Sequence, residues 1–137
     1  MSINKKPKIG VGVYIRKDNK ILFMLRKSSH GTGTWHPPGG KLEYKESFEE
    51  CAIREVLEEV NLKIKNIKLM GVTNDIFEED EHYITIHMVA DYESGLEKIM
   101  EPDKCEDLKW FNWDNLPKPL FKSNENFLKL NINPFNF

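Results

Sequence analysis

The segment Gly39–Leu62, GGKLEYKESFEECAIREVLEEVNL, decides how this chain of 137 residues folds. Two glycines open it, and from about Glu46 to Val60 neither Gly nor Pro interrupts residues that favour a helix. At roughly 100° of rotation per residue, Ala52, Ile53, Val56, Leu57 and Val60 share one broad face. That face is expected to bury against a sheet. Glu55, Glu58 and Glu59 fall together on the opposite side.

The acidic stripe is electrostatically awkward. Like charges at i,i+4 destabilise a helix by roughly 0.2–0.5 kcal/mol per pair. Glu58 and Glu59 also sit near the C-terminal end, where the helix dipole disfavours anions. Arg54 offsets part of this and can pair with Glu50 or Glu58, each four residues away. A divalent cation would relieve the rest, and Mg²⁺ prefers such hard oxygen ligands. The alternative reading of the helix alone is a solvated acidic face.

Working outward, KIGVGVYIRKDNKILFMLRK reads as two strands joined at Asp18-Asn19. SSHGTGTWHPPGG reads as a loop, broken by Gly31, Gly33, Pro37 and Pro38. After the helix, Lys63 to Phe77 reads as a strand and EEDEH as an acidic turn. HYITIHMVADY is a further strand, with Tyr83, Thr85 and His87 on one side and Ile84, Ile86 and Met88 on the other. LKWFNW is another strand, and SNENFLKL a short helix with Ser123 as its N-cap. Strands on both sides of one central helix indicate a mixed α/β or α+β domain spanning residues 1–137.

Composition narrows the function. Charged residues make up 31% of the chain and hydrophobic residues 39%, an ordinary globular balance, and the net charge of -2 argues against stable nucleic-acid binding. The two cysteines, Cys51 and Cys105, form no CxxC pair and read as reduced packing residues, which suits a cytoplasmic protein. No apolar run reaches membrane-spanning length, and MSINKKPKIG lacks the apolar core of a secretory signal.

With its spacing, the opening segment reads Gly40, five residues, Glu46, seven residues, then Arg54-Glu55-Val56-Leu57-Glu58-Glu59-Val60-Asn61-Leu62. This resembles the signature of the Nudix hydrolases, G-x5-E-x7-R-E-U-x-E-E-x-G-U, where U is a bulky aliphatic residue. Chance agreement at the six fixed Gly and charged positions is on the order of 10⁻⁷ at average composition. One position departs, because Asn61 stands where the signature has glycine. Asn is the next-best residue for a left-handed helix cap, so the change is read as conservative. The flanks GTWHPPGGKLEY and EPDKCEDLKWFNWDNLP resemble the MutT-like branch, and the similarity spans about residues 8–121.

The resemblance implies an α/β/α sandwich around a mixed β-sheet, and attack of a metal-activated water on a nucleoside phosphate. It assigns Glu55, Glu58 and Glu59 to Mg²⁺, which Mn²⁺ can replace, together with the Gly39 carbonyl. Glu55 takes the proton from the water, and Arg54 orients a neighbouring glutamate. Glu46 is expected at the helix start as a structural residue. A further metal carboxylate is expected from MEPDKCED, with Asp103 favoured over Glu101 and Glu106. Arg26 and Lys41 are candidates for substrate phosphates. Trp35, His87, Trp110, Phe111 and Trp113 are candidates to border a base, each with core packing as its alternative. His30 and His36 lie near the expected phosphates without zinc-ligand spacing.

The main expectation is a Mg²⁺-dependent pyrophosphohydrolase of (deoxy)nucleoside triphosphates, oxidised or modified ones included, that releases a monophosphate and pyrophosphate. The alternative keeps the catalyst and changes the substrate to a nucleoside diphosphate derivative such as ADP-ribose, a nucleotide sugar or a dinucleotide. A non-catalytic nucleotide-binding module is the third reading. A homodimer is the expected assembly.

Overall fold

The computed structural model describes residues 5–28, 30–78 and 80–137. Strands β1 (Lys8–Lys17) and β2 (Lys20–Arg26) form a hairpin, followed by the short strands β3 (Trp35–His36) and β4 (Gly39–Lys41). Helix α1 (Phe48–Val60) comes next. Strands β5 (Lys63–Phe77), β6 (Glu81–Ser94) and β7 (Cys105–Asn112) precede helix α2 (Lys122–Leu128), and a single 3-10 turn covers Pro134–Asn136. Asp18 and Asn19 both take positive φ, 52° and 62°, as a tight hairpin turn requires. The loop expected over residues 28–40 carries β3 and β4 within it.

The sheet has seven strands in the order β3-β2-β1-β6-β5, with β4 paired to β1 and β7 to β2. The β1–β6 pairing is parallel. Its neighbours pair antiparallel, so the sheet is mixed. The long parallel ladder brings Gly10 beside Thr85 and Gly12 beside His87.

Each face of the sheet carries its own core. Val11, Val13, Ile15, Ile86 and Met88 meet Cys51, Ala52, Val56 and Val60 of α1 on one side. Tyr14, Phe23, Met70 and Val89 meet Phe127 of α2 on the other. This is the expected α/β/α sandwich. Strand alternation explains the split, because Val11 and Val13 point to one face and Tyr14 to the other.

Four local expectations are corrected. Helix α1 begins at Phe48 instead of Glu46, because Ser47 and Glu50 form a reciprocal capping box. Glu50 is thereby used at the cap and is not a partner of Arg54. The buried stripe of α1 is narrower than expected, leaving Ile53 48% and Leu57 45% exposed. In α2 the N-cap is Phe121, without a side-chain bond, while Ser123 lies buried in the first turn.

Two side-chain amides moor α2 to the sheet. Asn124 Nδ2 donates to the Tyr14 hydroxyl at 2.8 Å, and Asn126 Nδ2 donates to Asp75 Oδ1 at 2.8 Å. The segment after α2 folds back over β1, where Arg16 donates to the carbonyls of Pro134 and Phe137 and pairs with Asp91.

Asn61 closes α1 with φ 63° and ψ 32°, and its amide donates to the Leu57 carbonyl. A side chain with a simple Cβ costs about 1 kcal/mol in that conformation. Asn61→Ala is therefore expected to lower the unfolding free energy by about 1 kcal/mol in a urea titration, and Asn61→Gly to preserve it.

Candidate active site

A cleft of about 540 Å³ opens where β4, the middle of β1, and the inward sides of α1 and α2 approach one another. Glu55, Glu58, Glu59 and Glu101 line one end, and Phe77, Tyr83, Thr85, Phe121 and Asn124 the other. Arg26, His30 and His36 lie between, with Lys41 and Lys104 at the acidic side.

Arg54 organises the acidic end from behind. Its guanidinium lies 2.7 Å from Glu46, 2.6 Å from Glu55, 3.0 Å from Glu43 and 3.4 Å from Glu58. It also donates to the Lys41 carbonyl at 3.1 Å. Glu46 sits before the helix, not within it, and accepts two bonds from Arg54. That pairing holds the Glu46 carboxyl down at about 2, far below the usual range.

Glu59 is half-buried against β4. The Gly39 amide donates to its Oε1 at 2.7 Å, so β4 and α1 are joined at the cleft. Burial, with Glu55 and Glu101 nearby, raises the Glu59 carboxyl to about 8 despite that bond and the distant Arg26. Glu55 is also raised, by burial first, against the downward pull of Arg54.

Gly40 stands directly over the Glu55 carboxyl, and a Cβ there would fall inside its van der Waals surface. A Cβ on Gly39 would instead strike the backbone of Val11 and Gly12. The glycine pair therefore serves close approach of β4 to α1 on one side and to β1 on the other.

Arg26 crosses the middle of the cleft. Its Nε donates to the His30 carbonyl at 2.8 Å, and its guanidinium stacks 4.4 Å from the Phe121 ring centre. Burial lowers its pKa. His36 is half-buried, and desolvation together with Arg26 lowers its pKa to about 3, so the ring is neutral.

Among the residues named from sequence, the cleft gathers Arg26, Gly39, Lys41, Glu55, Glu58 and Glu59. It does not gather Asp103, which is exposed while Glu101 faces the other acids. Trp35, His87 and Trp110 do not line it either. Trp35 packs edge-on against Phe111 at 5.2 Å. Trp110 donates to Glu97, and Trp113 lies edge-on to Tyr14. The cause is strand register. Trp110 and Phe111 pair with Leu22 and Ile21, whereas the cleft lies by Arg26 at the far end of β2, about 13 Å further along the strand. His87 lies beneath Phe127, 4.6 Å away, and is fully buried.

Sequence reading missed the aromatic wall of Phe77, Tyr83 and Phe121. The alternation of β6 already grouped Tyr83 with Thr85, but nothing local marked Phe121 or Asn124. Both reach the cleft through the packing of α2.

The acids at this end of the cleft offer carboxylate oxygens, the set that suits Mg²⁺, and Glu59 is raised by burial first and by the nearby charges of Glu55 and Glu101 second. Glu58 projects outward, 56% exposed, toward Arg54. Among the described residues, no three acidic, His or Cys side chains converge in a metal-holding arrangement. Glu55, Glu59 and Glu101 are the group that would close on an ion once Glu55 turns from Arg54.

This arrangement of a capped acidic helix, a glycine pair and a mixed sheet is the one the Nudix signature leads one to expect. Residues 6–130 match the family described as NUDIX domain, and the chain belongs to the Nudix family. It is 34% identical over 116 residues to an ADP-ribose pyrophosphatase of Methanocaldococcus jannaschii, covering 84% of this chain and 68% of that protein. It is 36% identical over 105 residues to the NAD-capped RNA hydrolase NudC of Pseudomonas putida, covering 77% of this chain and only 36% of that protein. A MutT NUDIX hydrolase from Burkholderia pseudomallei superposes with a TM-score of 0.84 at 33% identity, covering 93% of this chain and 98% of that one. No described helix is long and apolar enough to cross a membrane.

Two outcomes follow from the geometry. Gly40→Ala should fold, since Glu55 can swing away, but should lower kcat by at least about tenfold because the carboxylate is displaced. Gly39→Ala meets backbone and should instead lose Tm. Protonation acts on stability separately. His36 and His87 are held neutral with pKa values of about 3 and 4, below the unfolded value of about 6.5. The unfolded chain binds more protons between those limits, so stability should fall as pH drops from about 6.5 toward 4. Melting curves across that window should show the slope, and His87→Gln should reduce it.

Proposed function

We propose that this Nudix hydrolase cleaves the phosphoanhydride bond of a nucleoside diphosphate derivative, with ADP-ribose as the representative substrate. Similarity along the chain carries this reading over the triphosphate expectation, with 34% identity to an ADP-ribose pyrophosphatase across 84% of this chain. The M. jannaschii relative is named for the same reaction.

In this reading the phosphates lie across Arg26 and Lys41, beside the acidic end, and the nucleoside rests against Phe77 and Phe121. Glu55, Glu59 and Glu101 hold Mg²⁺, or Mn²⁺ in its place, with Glu58 and the Gly39 carbonyl nearby. A bound ion supplies charge neutralisation at the phosphates and a more acidic water. Once Glu55 turns from Arg54, one of its oxygens would face the ion and the other would be free to accept the proton from the attacking water. Water oxygen adds to one phosphorus, the bridging P–O bond breaks, and the second phosphate leaves with the bridging oxygen. Two monophosphates result. The free, buried cysteines fit a cytoplasmic setting. A homodimer would use the outer edge of β5, where Val72 and Ile76 are exposed.

Steady-state kinetics in Mg²⁺ should give a kcat/KM for ADP-ribose at least about tenfold above that for deoxyguanosine triphosphate. The reverse order would return the triphosphate reading. Glu55→Gln and Glu59→Gln should each lower kcat by about 10²-fold or more. Mg²⁺ should raise the Tm of the unaltered protein, and both variants should shrink that rise. Full activity in Glu59→Gln would remove this carboxylate from the metal site.

A further inference from the structure

The sheet face under α2 buries a polar cluster that hydrolysis itself does not require. Asp75 of β5 is fully buried. Its Oδ2 accepts from the Thr73 hydroxyl at 3.0 Å and from the Thr85 hydroxyl at 2.5 Å, and its Oδ1 accepts from Asn126. Thr73 Oγ1 also lies 2.8 Å from Nε2 of His87.

Proton counting gives this cluster one direction. A carboxylate only accepts, and each threonine hydroxyl has one proton. Thr73 and Thr85 therefore both turn their protons toward Asp75. The third contact of Thr73 must then be a bond it accepts, with His87 donating from Nε2. That leaves Nδ1 of His87 a bare acceptor, and Nδ1 is the ring nitrogen without a partner.

Thr85 stands where this cluster meets the cleft. It lines the nucleoside end, and its Oγ1 lies 4.0 Å from the position a Cβ on Gly10 would take. With its proton turned inward, the hydroxyl presents only lone pairs to the cleft. Asn124 lines the same end and is 4% exposed. Its Nδ2 is used by Tyr14, and its Oδ1 has no partner. The Thr85 hydroxyl thus offers an acceptor to one end of the cleft, whereas Asn124 Oδ1 is closed off from it. Filling that end with an edge that offers no donor would leave the Thr85 acceptor unpaired, at a cost in affinity.

We infer that this end of the cleft selects a base whose buried edge carries hydrogen-bond donors, an exocyclic amino group above all, and that Asp75 is a positioning residue that sets the selectivity by turning the Thr85 hydroxyl. The inference rests on the reading of this cleft as a nucleotide site, but it concerns binding and not cleavage.

Calorimetric titration without metal separates the two. ADP is compared with the diphosphate of purine riboside, which lacks the 6-amino group, and GDP with IDP, which lacks the 2-amino group. The amino-bearing member should bind about tenfold tighter in at least one pair, the size of one good hydrogen bond. Thr85→Val should bring that ratio to within about twofold, and Thr85→Ser should restore it. Asp75→Asn supplies a donor to Thr85 and frees its proton toward the cleft, so the ratio should shift toward the amino-free partner. Should that variant not fold, the two Thr85 variants decide. Equal affinity in both pairs, no binding of either amino diphosphate, or an unchanged ratio in Thr85→Val would overturn the inference. Preferential binding without ADP-ribose cleavage would defeat only the proposed reaction, and cleavage without preference only the selectivity.

Discussion

A single guanidinium holds the acidic end of this protein together. Arg54 lies within 3.4 Å of four carboxylates, those of Glu43, Glu46, Glu55 and Glu58. Without it, α1 would carry a stripe of unscreened like charges into a half-buried cleft, where their repulsion is stronger than in water. With it, Glu46 is strongly ionised, and the loop before α1 is tied to the helix. The Lys41 carbonyl accepts from the same group, so β4 is joined as well. The clamp leaves Glu59 on the inner side with an excess of negative charge around it, and that excess is what a divalent ion would answer.

The sheet divides labour between its faces. One face packs α1 through Val11, Val13 and Ile86 and supports the acids. The other packs α2 through Tyr14 and Phe127 and builds the end of the cleft lined by Phe77, Tyr83 and Phe121. Both ends open into one cleft because β1 carries Gly10 and Gly12 at its middle, where a Cβ at Gly12 would meet nothing. The absence of side chains there keeps the space between the two ends clear. The acidic residues and the aromatic wall are therefore set on opposite layers and meet across two glycines.

Much of this was legible in the chain. The spacing from Gly40 through Glu46 to Glu59 located the acidic helix, and the period of two in β6 separated Thr85 and His87 from Ile86 and Met88. Asn61 was readable as a left-handed cap. These features are local, since each depends on residues within a turn or two of one another. Trp110 and Phe111 fell outside the cleft because composition marks an aromatic ring as useful, but which end of β2 it reaches depends on the register of a strand some eighty residues later. Asp103 stands near the cleft end of β2, but Glu101 and not Asp103 lines the cleft from the turn before β7.

The sequence by itself determined the helix, its acid stripe and the glycine pair, because periodicity and spacing along one segment impose those, and their resemblance to the Nudix signature implied the class of chemistry. Only the tertiary structure decided that Glu46 serves Arg54 and that Glu101 faces the cleft in place of Asp103. It also decided that Phe77, Phe121, Thr85 and Asn124 form the wall opposite. Those positions come from β5, β6 and α2, which meet only when the parallel β1–β6 ladder and the seating of Phe127 bring them side by side. Contacts of that kind arise from packing between distant segments, and no local pattern encodes them.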